Sequence, residues 1–324
     1  MRRRISLTLV VTLALAAAVT VGWFSDYYGS DFGMFAAAGR TLASTRWLHT
    51  YHDSFVQAGP FELLICAFAK MLGGGGRDAA IVLDVAGMLA LLAVAYTTVA
   101  RRARELLLVA TAALALFVVR DLGADAHPAE VGIALLWFLA ARDARAGRVW
   151  RAGLLVGVSA GFETWGVLGV TVLLLAPRVR DSAVAAGGAA LVAAAIYAPF
   201  LAGGDFHMFE LHWKTAHGLA GTVFGLGHAF TWPMRLAEAA IVVAAGGTLA
   251  RAVRRSPTAV WLVPAATSLV RLLLDPIRYG YYWDTALTLF AIGLAPWLVA
   301  PRALAGALEA WLAQRLGRAA LAGR

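Results

Sequence analysis

Two aspartates follow closely on the first apolar run of this chain. Residues 25–60 read SDYYGSDFGMFAAAGRTLASTRWLHTYHDSFVQAGP, with Asp26, Asp31, His49, His52 and Asp53 set among aromatic residues. A carboxylate at the mouth of a membrane cavity can take a proton from an incoming hydroxyl, so Asp31 and Asp26 are candidate general bases. Solvated loop acids, or Asp26 as a helix cap, are the plainer readings. A second group is Asp121, Asp125, His127 and Glu130. These residue types bind metals, but no HExxH-like spacing occurs. His127-Pro128-Ala129-Glu130 also reads as a helix start, with Pro early and Glu in the first turn. Glu163 stands in an apolar segment, where a carboxylate is costly to bury. His127, Glu130 and Glu163 are therefore taken as candidate substrate-binding residues; no metal and no cofactor is expected. Lys214, His212 and His217 share an aromatic-rich segment, and Arg278 stands among Tyr279, Tyr281 and Tyr282. Lys214, His217 and Arg278 are candidate phosphate ligands through charge-assisted hydrogen bonds. Anchoring at a membrane interface is the alternative. The run GGGGR at 73–77 lacks the Lys-Ser/Thr and the strand–helix context of a phosphate loop.

The elements that must position these groups are apolar helices. The chain has 324 residues and is 61% hydrophobic, with a mean hydropathy of +0.73. Soluble domains sit near about 45–50% apolar. The expected fold is an all-α polytopic transmembrane bundle of about ten spans, because the apolar runs suit about 30 Å of hydrocarbon. Residues 1–300 form one bundle, and 301–324 a basic amphipathic tail on the inner membrane surface. A net charge of +9 raises nucleic-acid binding. The arginines instead gather in short loops, a positive-inside pattern rather than a basic face, so no nucleic-acid partner is expected. The single Cys66 leaves no disulfide framework and no cysteine-based zinc site.

Residues 5–24 form the first span, a retained anchor running outward from Arg2, Arg3 and Arg4. Within 25–60, residues 36–42 and the Trp47 region suit short interfacial helices. Residues 61–73 are too short for a clean crossing. Spans follow at 78–100, 105–119 and 131–141, with 120–130 as a second outer loop. Residues 152–177 are expected to split near 161–166, because one crossing would invert every later arginine loop. Further spans at 183–201, 235–250, 258–274 and 285–300 leave 203–233 and 275–284 outside. All seven histidines then fall on one outer face. The expected location is the plasma membrane, with the site outside and both termini cytoplasmic.

In layout the chain resembles the polytopic type-C membrane glycosyltransferases, especially bacterial polyprenyl-phosphate-mannose-dependent mannosyltransferases. The likeness rests on Asp31-Phe32-Gly33-Met34-Phe35-Ala36-Ala37 after the first span, Gly59-Pro60-Phe61 at the next helix, and Arg151-Ala152-Gly153-Leu154-Leu155-Val156-Gly157 after a basic loop. It covers roughly residues 23–177. It departs from the family pattern at Ala58-Gly59-Pro60, at 127–130 and at Glu163-Thr164-Trp165. The resemblance implies an inverting enzyme that moves mannose or another hexose or pentose from a polyprenyl-phosphate donor to a lipid or glycan acceptor of the cell envelope. It casts Asp31, or Asp26, as the base. Arg278, Lys214 and His217 become ligands of the donor phosphate. The alternatives are a non-catalytic membrane assembly partner and a transporter of small solutes or lipids. A transporter should show mid-membrane ionisable residues and an internal repeat; no convincing repeat is visible, and Glu62, Lys70, Asp84, Glu163, Glu238 and Arg271 are the candidate intramembrane charges.

Overall fold

A computed structural model describes residues 6–24, 30–74, 76–98, 104–216, 218–277 and 279–299. Asp26, His217, Arg278 and the tail at 301–324 lie outside the described residues. The fold is all-helical, with no strand among the described residues and an isolated antiparallel bridge between Lys214 and Ala229. The helices are α1 Leu7–Phe24, α2 Ser30–Leu42, α3 Pro60–Gly73, α4 Gly76–Tyr96, α5 Arg104–Asp125, α6 Pro128–Arg145, α7 Val149–Ser159, α8 Val170–Leu173, α9 Val179–Gly203, α10 Gly218–Phe224, α11 Trp232–Val253, α12 Ala259–Leu274 and α13 Asp284–Val299. Among the described residues five are long and apolar enough to cross a membrane: α1, α4, α5, α9 and α11. Leu13, Phe24, Phe117, Leu191 and Leu236 on these helices are exposed. Outward-facing apolar side chains in this number suit lipid rather than water.

Helix starts and stops follow local chemistry. Pro60 and Pro128 open α3 and α6, where a missing N–H costs nothing. Gly74, at φ 75°, closes α3 in the left-handed conformation that glycine tolerates. The helix carrying Asp31 begins at Ser30, so its carboxylate sits in the first turn. The split at residues 152–177 is present: α7 ends at Ser159, and a 3-10 turn, Thr164–Gly169, leads into α8. The polar stretch at 120–130, expected as a loop, is mostly helix. α5 runs on to Asp125, and Ala126, at φ 59°, reverses the chain before α6.

Packing joins the break to the start of α3. The Gly59 N–H donates to the Phe162 carbonyl at 2.6 Å, and that of Phe61 to Gly161 at 2.9 Å. A Cβ at Gly59 would lie 2.3 Å from the Gly161 carbonyl oxygen, so a residue without a side chain is required there. Deeper in the bundle, the buried Asp84 of α4 lies between Gly22 of α1 and Gly123 of α5.

The two ends of the bundle differ chemically. At one end Arg142 donates to Thr97, Arg145 to the Ser256 carbonyl, and Arg148 and Arg151 pair with Asp143. Helix α6 leads away from that end for 18 residues, about 27 Å at 1.5 Å per residue. It finishes at His127, where the acids and aromatics collect.

Candidate functional site

The end of the bundle around His127 holds a cavity of about 1000 Å³. Its walls come from α2, the segment after the 47–49 turn, the α5–α6 junction, the break at 163–168, the segment at 208–213, the start of α11, and the stretch from Arg271 to Tyr282. Each wall belongs to a segment that the arginine pattern assigned to one face, or to a helix end beside it.

The sequence-derived acids converge here. Asp31, His127 and Glu163 all line the cavity. His127 Nε2 is 3.5 Å from Asp31 Oδ2, and its Nδ1 is 3.6 Å from Glu62 Oε1. The ring stacks on Tyr281, 3.8 Å between centroids, and Phe35 meets its edge. His127 is only 5% exposed and Glu62 is fully buried. Burial alone would favour the neutral ring; the neighbouring carboxylates of Asp31 and Glu62 outweigh it and raise the pKa to about 10. These carboxylates favour the protonated ring beside Asp31. That charge and the N-terminus of α2 both stabilise an anion at Asp31.

A cation also lines the cavity. Arg271, near the end of α12, sits over Trp165 at 4.2 Å and over Tyr282 at 4.8 Å. It pairs with Asp275 at 3.0 Å and lies 3.7 Å from Glu130. Trp165 Nε1 donates to Glu163, and Thr285 donates to the Glu130 carboxylate. Glu130 is fully buried and is not a wall residue, so it reaches the cavity through Arg271. Arg235 of α11 is a second wall cation, half-buried, with its guanidinium 5.4 Å from the Phe230 ring centroid. Among the described residues no salt bridge joins it to a carboxylate; Glu238, three residues on and also in the wall, is a neighbouring acid.

In the sequence Arg271 stands out only as an intramembrane charge, and no local pattern marks Arg235. A charge inside an apolar helix was the signal for Arg271. Lys214 is exposed and is not a wall residue, whereas its neighbour Trp213 is. Arg278 lies outside the described residues, between Ile277 and Tyr279, which both line the cavity.

Two sets of side chains bring metal-capable atoms within 4.8 Å of one another: Glu62, His127 and Glu163, and His52, Asp205 and His207. In the first set the imidazole already sits between Glu62 and Asp31. The second lies outside the cavity. There, hydrogen bonds from His52 and His49 hold the Asp205 pKa down at about 2, and Glu210 raises that of His207.

No family model, no curated protein and no solved structure matches this chain. The arrangement therefore carries the chemical argument alone. It offers a carboxylate able to accept a proton, cations able to hold an anion, and aromatic faces suited to sugar rings, all facing one cavity.

Proposed function

We propose that this protein is a polytopic membrane glycosyltransferase that moves a sugar from a polyprenyl-phosphate donor to a cell-envelope acceptor, with inversion at the anomeric carbon. The observation that carries this reading is that Asp31, Arg235 and Arg271 face one cavity. In the reaction, Asp31 accepts the proton of an acceptor hydroxyl. The hydroxyl oxygen bonds to the anomeric carbon as the bond to the phosphate oxygen breaks. The electron pair leaves on the polyprenyl phosphate, whose charge Arg235 and Arg271 offset. The about-ten-span topology, with the cavity outside and both termini in the cytoplasm, belongs to this reading. It is supported by the gathering of arginines at the end away from the cavity.

A second feature favours a lipid-linked donor over a free one. An apolar groove of about 390 Å³ runs between α9 and α11, lined by Ala186, Ala190, Ala240 and Val243 among others. It shares Val167, Leu168 and Ala239 with the cavity wall. An acyl or polyprenyl chain lying there would leave its phosphate in the cavity. Ala190→Trp fills this groove. It is expected to raise KM about tenfold or more for a long-chain donor, the scale of losing about two buried methylenes' worth of contact, and to leave a donor with a truncated chain unaffected. Equal KM values for both donors in the variant would place the chain elsewhere.

The reading is tested in cells by analysing envelope lipids and glycans after removal of the chain. One glycolipid or glycan linkage should disappear and return on complementation. An unchanged glycan profile with altered uptake of a solute would favour the transporter alternative.

A further inference from the structure

The histidines of the 25–60 segment are not used by the cavity. His49 and His52 instead meet a second loop more than 150 residues away in sequence. His49 Nδ1 lies 2.6 Å from Asp205 Oδ2, and His52 Nδ1 lies 2.8 Å from Asp205 Oδ1. His207 joins them, with Nε2 3.4 Å from Asp205 Oδ1 and Nδ1 2.7 Å from Glu210 Oε1. The His52 and His207 rings meet edge to face, 5.9 Å between centroids. Three of the seven histidines thus converge on one carboxylate.

We propose that His52 Nδ1, His207 Nε2 and Asp205 Oδ1 bind one transition-metal ion of the zinc class, with water in the remaining position.

The ligand set suits such an ion. Two imidazoles and a carboxylate are typical zinc donors, at about 2.0–2.2 Å from the metal. Tetrahedral ligands at that radius are about 3.3–3.5 Å apart. The observed 2.8 and 3.4 Å to Asp205 Oδ1 differ from this by small side-chain movements. The supporting groups suit it as well. Glu210 accepts a hydrogen bond from Nδ1–H of His207, which leaves the Nε2 lone pair on the Asp205 side. His49 occupies the other oxygen of Asp205. Metal-binding histidines characteristically give their second nitrogen to a carboxylate in this way. Asp205 and Glu210 together balance a divalent charge. His52 has 75% of its side chain exposed, so an ion reaches the site from solvent.

The position gives the ion a consequence. The two loops it joins also build the outer wall of the cavity, through Phe55 and Gln57 on one and Met208, Phe209 and Trp213 on the other. They already touch: His207 N–H donates to the Tyr51 carbonyl at 2.9 Å, and Trp213 Nε1 to Gln57 Oε1 at 2.8 Å. A bound metal therefore clasps the cavity wall at its rim. The site stands whether or not the cavity performs glycosyl transfer.

The test uses the purified full-length protein in detergent, stripped with chelator and titrated with Zn²⁺ against a chromophoric competitor. One saturable equivalent is expected. Glu210→Gln, a change in a positioning residue, should weaken binding about 10–100-fold. The double variant His52→Ala/His207→Ala should abolish it, and His228→Ala, an exposed histidine elsewhere, should bind as the wild type does. Hydrogen exchange should slow in residues 47–57 and 204–213 when Zn²⁺ is added to the wild type only. No saturable binding, or equal binding by the double variant, overturns the proposal. His52, Glu210 and His228 are exposed and His207 is half-buried, and circular dichroism confirms that each variant is folded before titration.

Discussion

Asp31→Asn is expected to slow sugar transfer by about 10² to 10⁴, the range that general-base catalysis supplies. The substitution keeps the shape of the side chain and removes its ability to accept a proton. Asp31 is suited to that role by its place in the first turn of α2 and by the His127 ring 3.5 Å away. Its side chain is 32% exposed, so an acceptor can reach it. Donor binding should change little, because the proposal assigns the donor phosphate to Arg235 and Arg271 rather than to Asp31. Purified variants compared under saturating donor separate the two effects. Near-normal turnover in Asp31→Asn with a dead Asp26→Asn would move the role to Asp26. Near-normal turnover in both would remove the mechanism.

Arg235→Ala is expected to weaken donor binding by about ten- to a hundredfold. A hydrogen bond to a charged partner contributes about 1.5–3 kcal/mol, and about 1.4 kcal/mol is tenfold. Arg235 is the better choice for a direct phosphate ligand, because Arg271 is already paired with Asp275 and clamped between two rings. Removing Arg271 would break its buried pair with Asp275 and its contact with Glu130, a structural loss of about 3–5 kcal/mol. Lys214→Ala, on an exposed side chain off the cavity wall, serves as the control and should bind donor as the wild type does. Direct titration of the purified variants with donor measures this. Unchanged affinity in Arg235→Ala would assign the phosphate to other cations of the wall.

Much of this architecture was legible because its signals are local. Apolar runs, prolines at helix starts and clustered arginines marked most helices. The demand that arginine loops stay on one side located the break between Ser159 and Thr164. Asp31 was found from its place just beyond the first apolar run. The loop expected at 120–130 is shorter because Asp121 and Asp125, which look like loop residues, complete α5. The rest depends on distant contacts that periodicity does not encode. Trp165, Arg271 and Tyr282 stack across more than 100 residues of sequence. The His49–His52–Asp205–His207 cluster joins two loops whose meeting no local pattern announces. His49 and His52 looked like members of the site around Asp31, and only the fold separates them from it.

The most direct test of the account is the reaction itself. Purified wild-type protein is incubated with a polyprenyl-phosphate sugar labelled at C1 and with envelope lipids as acceptor, and the product linkage is read by NMR. The account predicts a new glycosidic bond with the anomeric configuration opposite to that of the donor, and its near-disappearance with Asp31→Asn. A retained configuration, or equal product from wild type and Asp31→Asn, would contradict it.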